Sequence, residues 1–167
     1  MSYKVEKDWE HKGLRCVVIA GSIGHRCGYV GVSASHPLYG IGYDDTIPLA
    51  LLPVLQKVKE GPIGKRGIMD LLTFQEDNPR VGILFDVHGS ITYSGGKDGY
   101  PVESDLWWFG YDCAHVGDAK DPSILGEEQK EFEARYPHFY DDGVIRDLDY
   151  CISECESLAD QILEVAG

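Results

Sequence analysis

The chain has 167 residues, 43% of them apolar, and carries 15 Lys and Arg against 28 Asp and Glu for a formal net charge of −13. That length suffices for one domain burying roughly two thirds of its unfolded surface, so folding needs neither a disulfide framework nor a structural metal. Direct nucleic-acid binding and attachment to an anionic membrane are not expected, because both repel an acidic surface.

The charge is unevenly spread: residues 1–83 hold 10 Lys/Arg and 9 Asp/Glu, whereas residues 84–167 hold 5 and 19. Such asymmetry speaks to association with basic surfaces or to solubility, not to fold. Cys16, Cys27, Cys113, Cys151 and Cys155 are odd in number and include no C-x-x-C pair. The N-terminal dozen residues are polar and charged, unlike a signal peptide, and no run approaches the length of a membrane span. A cytoplasmic protein with free thiols follows as the expectation. No repeat, linker or low-complexity tract divides the chain, so residues 1–167 read as a single domain.

In chain order, Leu14 to Ala20 is a β-branched run closed by Gly21 and reads as a strand. Cys27 to Ala34 reads as a second, joined to it through a hairpin turn at Gly21 to Arg26. Ser35 to Asp45 reads as an ordered loop. Leu49, Leu52, Leu55 and Val58 share a helical face, with the helix starting near Pro53, where proline fits a first turn. Lys65 to Phe74 reads as another short helix. Val81 to Val87 looks like a buried strand, Ser90 to Ser94 its continuation or return, and Leu106 to Tyr111 an aromatic strand. A short helix is expected around Glu127 to Arg135. From Val144 to Ala166, Ile145, Leu148, Ile152, Cys155, Ala159 and Ile162 form a helical stripe. Asp147, Glu154, Asp160 and Glu164 lie away from it. Cys151 and Cys155, one turn apart, read as core thiols. The fold expected is α+β: a mostly antiparallel sheet with the long C-terminal helix packed on one face.

Two segments concentrate chemistry. In Phe85-Asp86-Val87-His88-Gly89, Asp86 and His88 are two apart on the expected strand and would share a face. In Asp112-Cys113-Ala114-His115-Val116-Gly117-Asp118, four potential metal ligands fall within seven residues. Three readings stand open. His88, Cys113, His115 and Asp118 could hold a divalent transition metal such as zinc. His88 or His115 could be a general base oriented by Asp86, in a small hydrolase. Or the group could be a structural polar cluster. His36 is a looser candidate. In the aromatic run Trp107-Trp108-Phe109 and Tyr111, most members should be core, and one facing outward could anchor an interface. No P-loop, G-x-G-x-x-G or G-x-S-x-G occurs, and the partner motifs that a metallophosphoesterase needs beside Asp-x-His are missing.

HGSITYSG (His88 to Gly95) together with WWFGYDCAHVGD (Trp107 to Asp118) resembles a family of small proteins of bacteriophages and bacterial mobile elements. Their pattern is H-G-G-x-T-[YF]-S followed by W-x-G-[FY]-D-C-x-H-x-x-D, and Ser90 stands here in place of the usual second glycine. The likeness is concentrated in residues 81–118. A phage origin implies a counter-defence role, such as an anti-CRISPR inhibitor whose acidic face occupies the basic nucleic-acid channel of a CRISPR effector nuclease. The contact set expected for such a basic protein partner is Asp141, Asp142, Asp147, Glu154 and Asp160. The alternative is the hydrolase built on Asp86, His88, Cys113, His115 and Asp118.

Overall fold

A computed structural model describes residues 2–74, 76–77, 79–96, 98–137 and 142–167. Its strands are β1 (Tyr3–His11), β2 (Leu14–Gly21), β3 (Arg26–Val32), β4 (Tyr93–Gly95), β5 (Trp107–Asp112), β6 (Asp118–Ala119) and β7 (Val144–Ile145). Its helices are α1 (Leu52–Glu60), α2 (Ile68–Thr73), α3 (Glu127–Arg135) and α4 (Leu148–Val165). The first five strands form one antiparallel sheet in the order β1-β2-β3-β5-β4, while β6 and β7 pair in parallel beside it. The architecture is α+β, as the patterning predicts.

The run at 14–20 is apolar without alternation because both faces of β2 are covered. Cys16 and Val18 join Val30, Val32, Phe109 and Tyr111 in the main core under α4. Val17 and Ile19 join Tyr29 and Trp108 in a second cluster, closed by Tyr93, Tyr100, Val102 and Leu106 from β4 and the loop before β5. Three of the four aromatics expected in the core are buried there, and Trp107 is half-buried with its indole N–H donating to the Ile41 carbonyl. The edge strand β1 has no apolar alternation. Its charged outer side, including Lys4, Lys7 and Asp8, is what an exposed sheet edge tolerates without recruiting another chain.

The expected strand at Val81 to Val87 is a correction. Val81–Leu84 is a 3-10 turn and the following residues run extended outside any ladder. Its amides bond to the 43–45 loop instead, Val81 N–H to the Asp45 carbonyl and Gly82 N–H to that of Tyr43. A short buried apolar run has no period by which sequence could separate these two fates.

Helix α4 begins later than the stripe suggests. The Asp147 carboxylate accepts the Tyr150 N–H at 2.8 Å and caps it, after Val144 and Ile145 have paired with β6. The buried face is Cys151, Glu154, Cys155, Leu158, Ala159, Ile162 and Val165. It is rotated from the expected stripe, and Glu154 falls on its inner side.

Candidate active site

The two motif segments meet at the end of the sheet where β5 leaves it. Asp118 is the hub. Its side chain is 1% exposed and ionically saturated: Oδ2 accepts from His88 Nε2 at 2.8 Å and from the His115 backbone N–H at 3.0 Å, and Oδ1 accepts from Arg146 Nε at 3.0 Å. Burial works to raise the Asp118 pKa, but the His88, His115 and Arg146 hydrogen bonds outweigh it and hold the carboxyl below its ordinary range. The other His88 ring nitrogen meets the Tyr150 hydroxyl at 2.7 Å. Burial, reinforced by nearby Glu154, pushes the Tyr150 hydroxyl up to about 12. Because a carboxylate only accepts, Nε2 carries a hydrogen toward Asp118, and both ring nitrogens are occupied. The Arg146 guanidinium lies 4.9 Å over the Tyr150 ring and closes the network.

Glu154 anchors the same node from α4. Its carboxylate accepts the His88 backbone N–H at 3.0 Å and the Lys65 ammonium at 2.6 Å, with 5% of the side chain exposed. It is therefore not available as an exposed contact for a basic partner. Of the remaining expected contacts, Asp147 is the α4 cap, Asp160 bonds His11 and Lys12, and Asp142 is exposed. Asp141 lies outside the described residues.

The proposed metal set does not converge. Cys113 turns into the core, its sulfur 3.7 Å from that of Cys151, and hydrogen bonding to Cys151 together with burial holds its thiol protonated. Among the described residues no group of three or more His, Cys, Asp and Glu side chains is placed to hold a metal ion. Asp86 is also separate from His88. Without the strand, its carboxylate swings to the Lys65 backbone N–H at 2.6 Å, and Gln161 brackets its backbone from α4. His36 is structural: it donates to the Ile162 carbonyl and accepts the Leu38 N–H.

His115 differs from all of these. Its ring stacks against Gly89, whose φ of +67° and missing Cβ leave the only room for it. Its Nε2 is buried 3.2 Å from Asp112 Oδ1, outside hydrogen-bonding geometry and with no other partner among the described residues. Asp112 is itself held in place, accepting from Thr92 Oγ1 at 2.9 Å and from the Ala114 N–H at 3.0 Å. The ring is about one-third exposed, and Nδ1 has no partner among the described residues.

His115 lines a cavity of about 400 Å³ between the Gly89–Thr92 loop and α2. Ser90, Thr92, Asp70 and Arg80 contribute polar groups to it, and Ile68, Met69 and Ile91 apolar wall. A second unpartnered buried atom, Asp70 Oδ2, belongs to the same cavity. The wall is strained at Ser90, a non-glycine residue at φ +75°. Its Oγ accepts the Gly67 N–H at 2.6 Å and ties the loop to the start of α2. Sequence reasoning named His115 but missed Asp112 as its partner, and missed Asp70 and Arg80. The D-x-x-H spacing of Asp112 and His115 was the available signal for the first. Nothing local marks the other two. Comparison with protein families, curated proteins and solved structures finds no match for the chain.

Proposed function

We propose that the protein is a small hydrolase working by acid–base chemistry at His115. The observation that carries this reading is His115 on the wall of the 400 Å³ cavity, with Asp112 beside its Nε2 and with Nδ1 of the ring uncommitted. With the ring hydrogen on Nε2, beside the Asp112 carboxylate, Nδ1 keeps a lone pair, the form of a general base. Catalytic hydrogen bonds are often poorly aligned in an empty site and tighten around substrate, which suits a 3.2 Å approach off the bonding axis. In the reaction, Nδ1 takes a proton from water as the oxygen attacks an ester or phosphoester, then returns it to the leaving alcohol. Asp118 and His88 act as positioning residues, since Asp118 holds the His115 backbone. Mostly apolar walls with a few convergent polar groups are typical of a small-molecule site.

The test is a panel of carboxylic and phosphoric ester substrates with wild type and His115→Asn. Hydrolysis lost in His115→Asn at unchanged thermal midpoint supports the reading. Equal turnover in the variant, or none in either protein, overturns it.

A second reading has its own support. The excess of acid in residues 84–167, with the phage-family likeness, suits capture of a basic protein such as a CRISPR effector nuclease. Its contact surface cannot include Glu154. Wild type failing to bind any such nuclease at low salt would end it.

A further inference from the structure

Helix α3 has no buried residue. A nine-residue helix that is polar nearly all round persists through its own side-chain pairs, here Lys130 with Glu127 and Gln129 with Glu133. Yet it presents two large rings to solvent, Phe132 at 50% and Tyr136 at 59% exposure, one turn apart with centroids 5.2 Å from each other. Core packing does not explain them. They form the floor of a shallow groove of about 200 Å³ whose other walls are Glu128, Glu131 and Arg135. Among the described residues, neither Glu128 nor Glu131 has an ion pair. The surrounding segment, 121–149, holds nine Asp/Glu and three Lys/Arg.

We propose that this face of α3 is the docking site for an arginine-bearing basic protein segment. It rests on the basic-partner reading and gives it a location. The chemistry matches at each contact. A guanidinium lies flat on an aromatic face and forks to carboxylates, which a lysine ammonium does less well. Paired exposed aromatics are the residue type that anchors interfaces, and the acidic rim steers the encounter. Arg135, at the C-terminal end, sits favourably with the helix carbonyls and leaves two carboxylates to the ligand.

The experiment titrates a nine-residue polyarginine peptide and its polylysine counterpart into the full-length protein, following affinity by calorimetry and location by backbone amide shifts. Because α3 buries nothing, Phe132→Ala/Tyr136→Ala and Glu128→Gln/Glu131→Gln should fold normally, which circular dichroism checks. Glu10→Gln/Glu164→Gln removes the same charge at exposed positions on β1 and α4. Support is tighter binding of polyarginine than polylysine, shifts centred on 127–136, an affinity loss of about tenfold in the aromatic variant, and little change in the control pair. Binding that weakens equally in the control pair, with shifts spread over the surface, overturns the site and leaves the basic-partner reading standing. No binding at low salt overturns both.

Discussion

Two histidines, His88 and His115, have ring centroids 5.9 Å apart and opposite circumstances. At His88 both ring nitrogens and the backbone N–H are committed: Asp118 and Tyr150 take the ring, Glu154 takes the backbone N–H. Around His115, one nitrogen stands near a carboxylate without bonding it, the other has no partner among the described residues, and the residue lines a cavity. Residue type does not separate a structural histidine from a reactive one. The count of satisfied hydrogen bonds does, because a fully bonded imidazole has no lone pair or proton to offer. The buried node immobilises the loop that presents the open ring.

The largest effect that would test this division is at the hub. Asp118→Ala leaves Arg146 without its buried counter-charge and the His88 Nε2 without its acceptor, and should cost about 3–5 kcal/mol in urea unfolding. A loss under about 1 kcal/mol would mean that the node holds nothing together. Next comes acid sensitivity. The folded Asp118 carboxyl titrates below its ordinary value of 3.8, so its contribution to stability is present above that pH and lost as pH falls through the folded pKa. Asp121, opposed by burial but held down by Ser123 and Arg26, behaves alike. The stability gap between wild type and Asp118→Asn should therefore be wide at pH 7 and narrow below pH 4. A gap independent of pH would refute the assignment.

The thiols give a smaller, kinetic readout. Burial, with help from Glu156 and Asp160, pushes Cys16 up to about 12, and burial with Asp112 pushes Cys27 up to about 11. Native protein should react with iodoacetamide at pH 7.5 far more slowly than unfolded protein, with Cys27, the one half-buried thiol, first. Fast labelling of Cys151 or Cys155 would show that the core opens. The smallest effect is expected at His115. Its replacement by Asn should shift stability by no more than about 0.5 kcal/mol, since it satisfies no buried partner. A cost like that of Asp118→Ala would return it to the structural class.

Much of the architecture was legible in the chain because it rests on local chemistry. The β2–β3 hairpin follows from two β-rich runs around a glycine turn, α1 carries Pro53 in its first turn, where proline fits, and α3 spans Glu127–Arg135 as expected. The motif pair 88–95 and 107–118 marked where the candidate site lies. What only the tertiary structure decided is which side of each pattern faces inward. Val81 to Val87 carries no period, so its turn was set by the amide acceptors of the 43–45 loop. Glu154 reads as a solvated acid until α4 rotates it under the His88 amide, and Cys113 reads as a ligand until Cys151 receives it. Asp112 becomes the partner of His115, and Asp70 a wall of its cavity, through contacts that α2 and the end of β5 make only after folding. Sequence specifies the residues and their local conformation. Partnership among polar groups far apart in the chain is settled by packing, where an unpaired buried atom costs more than any local preference.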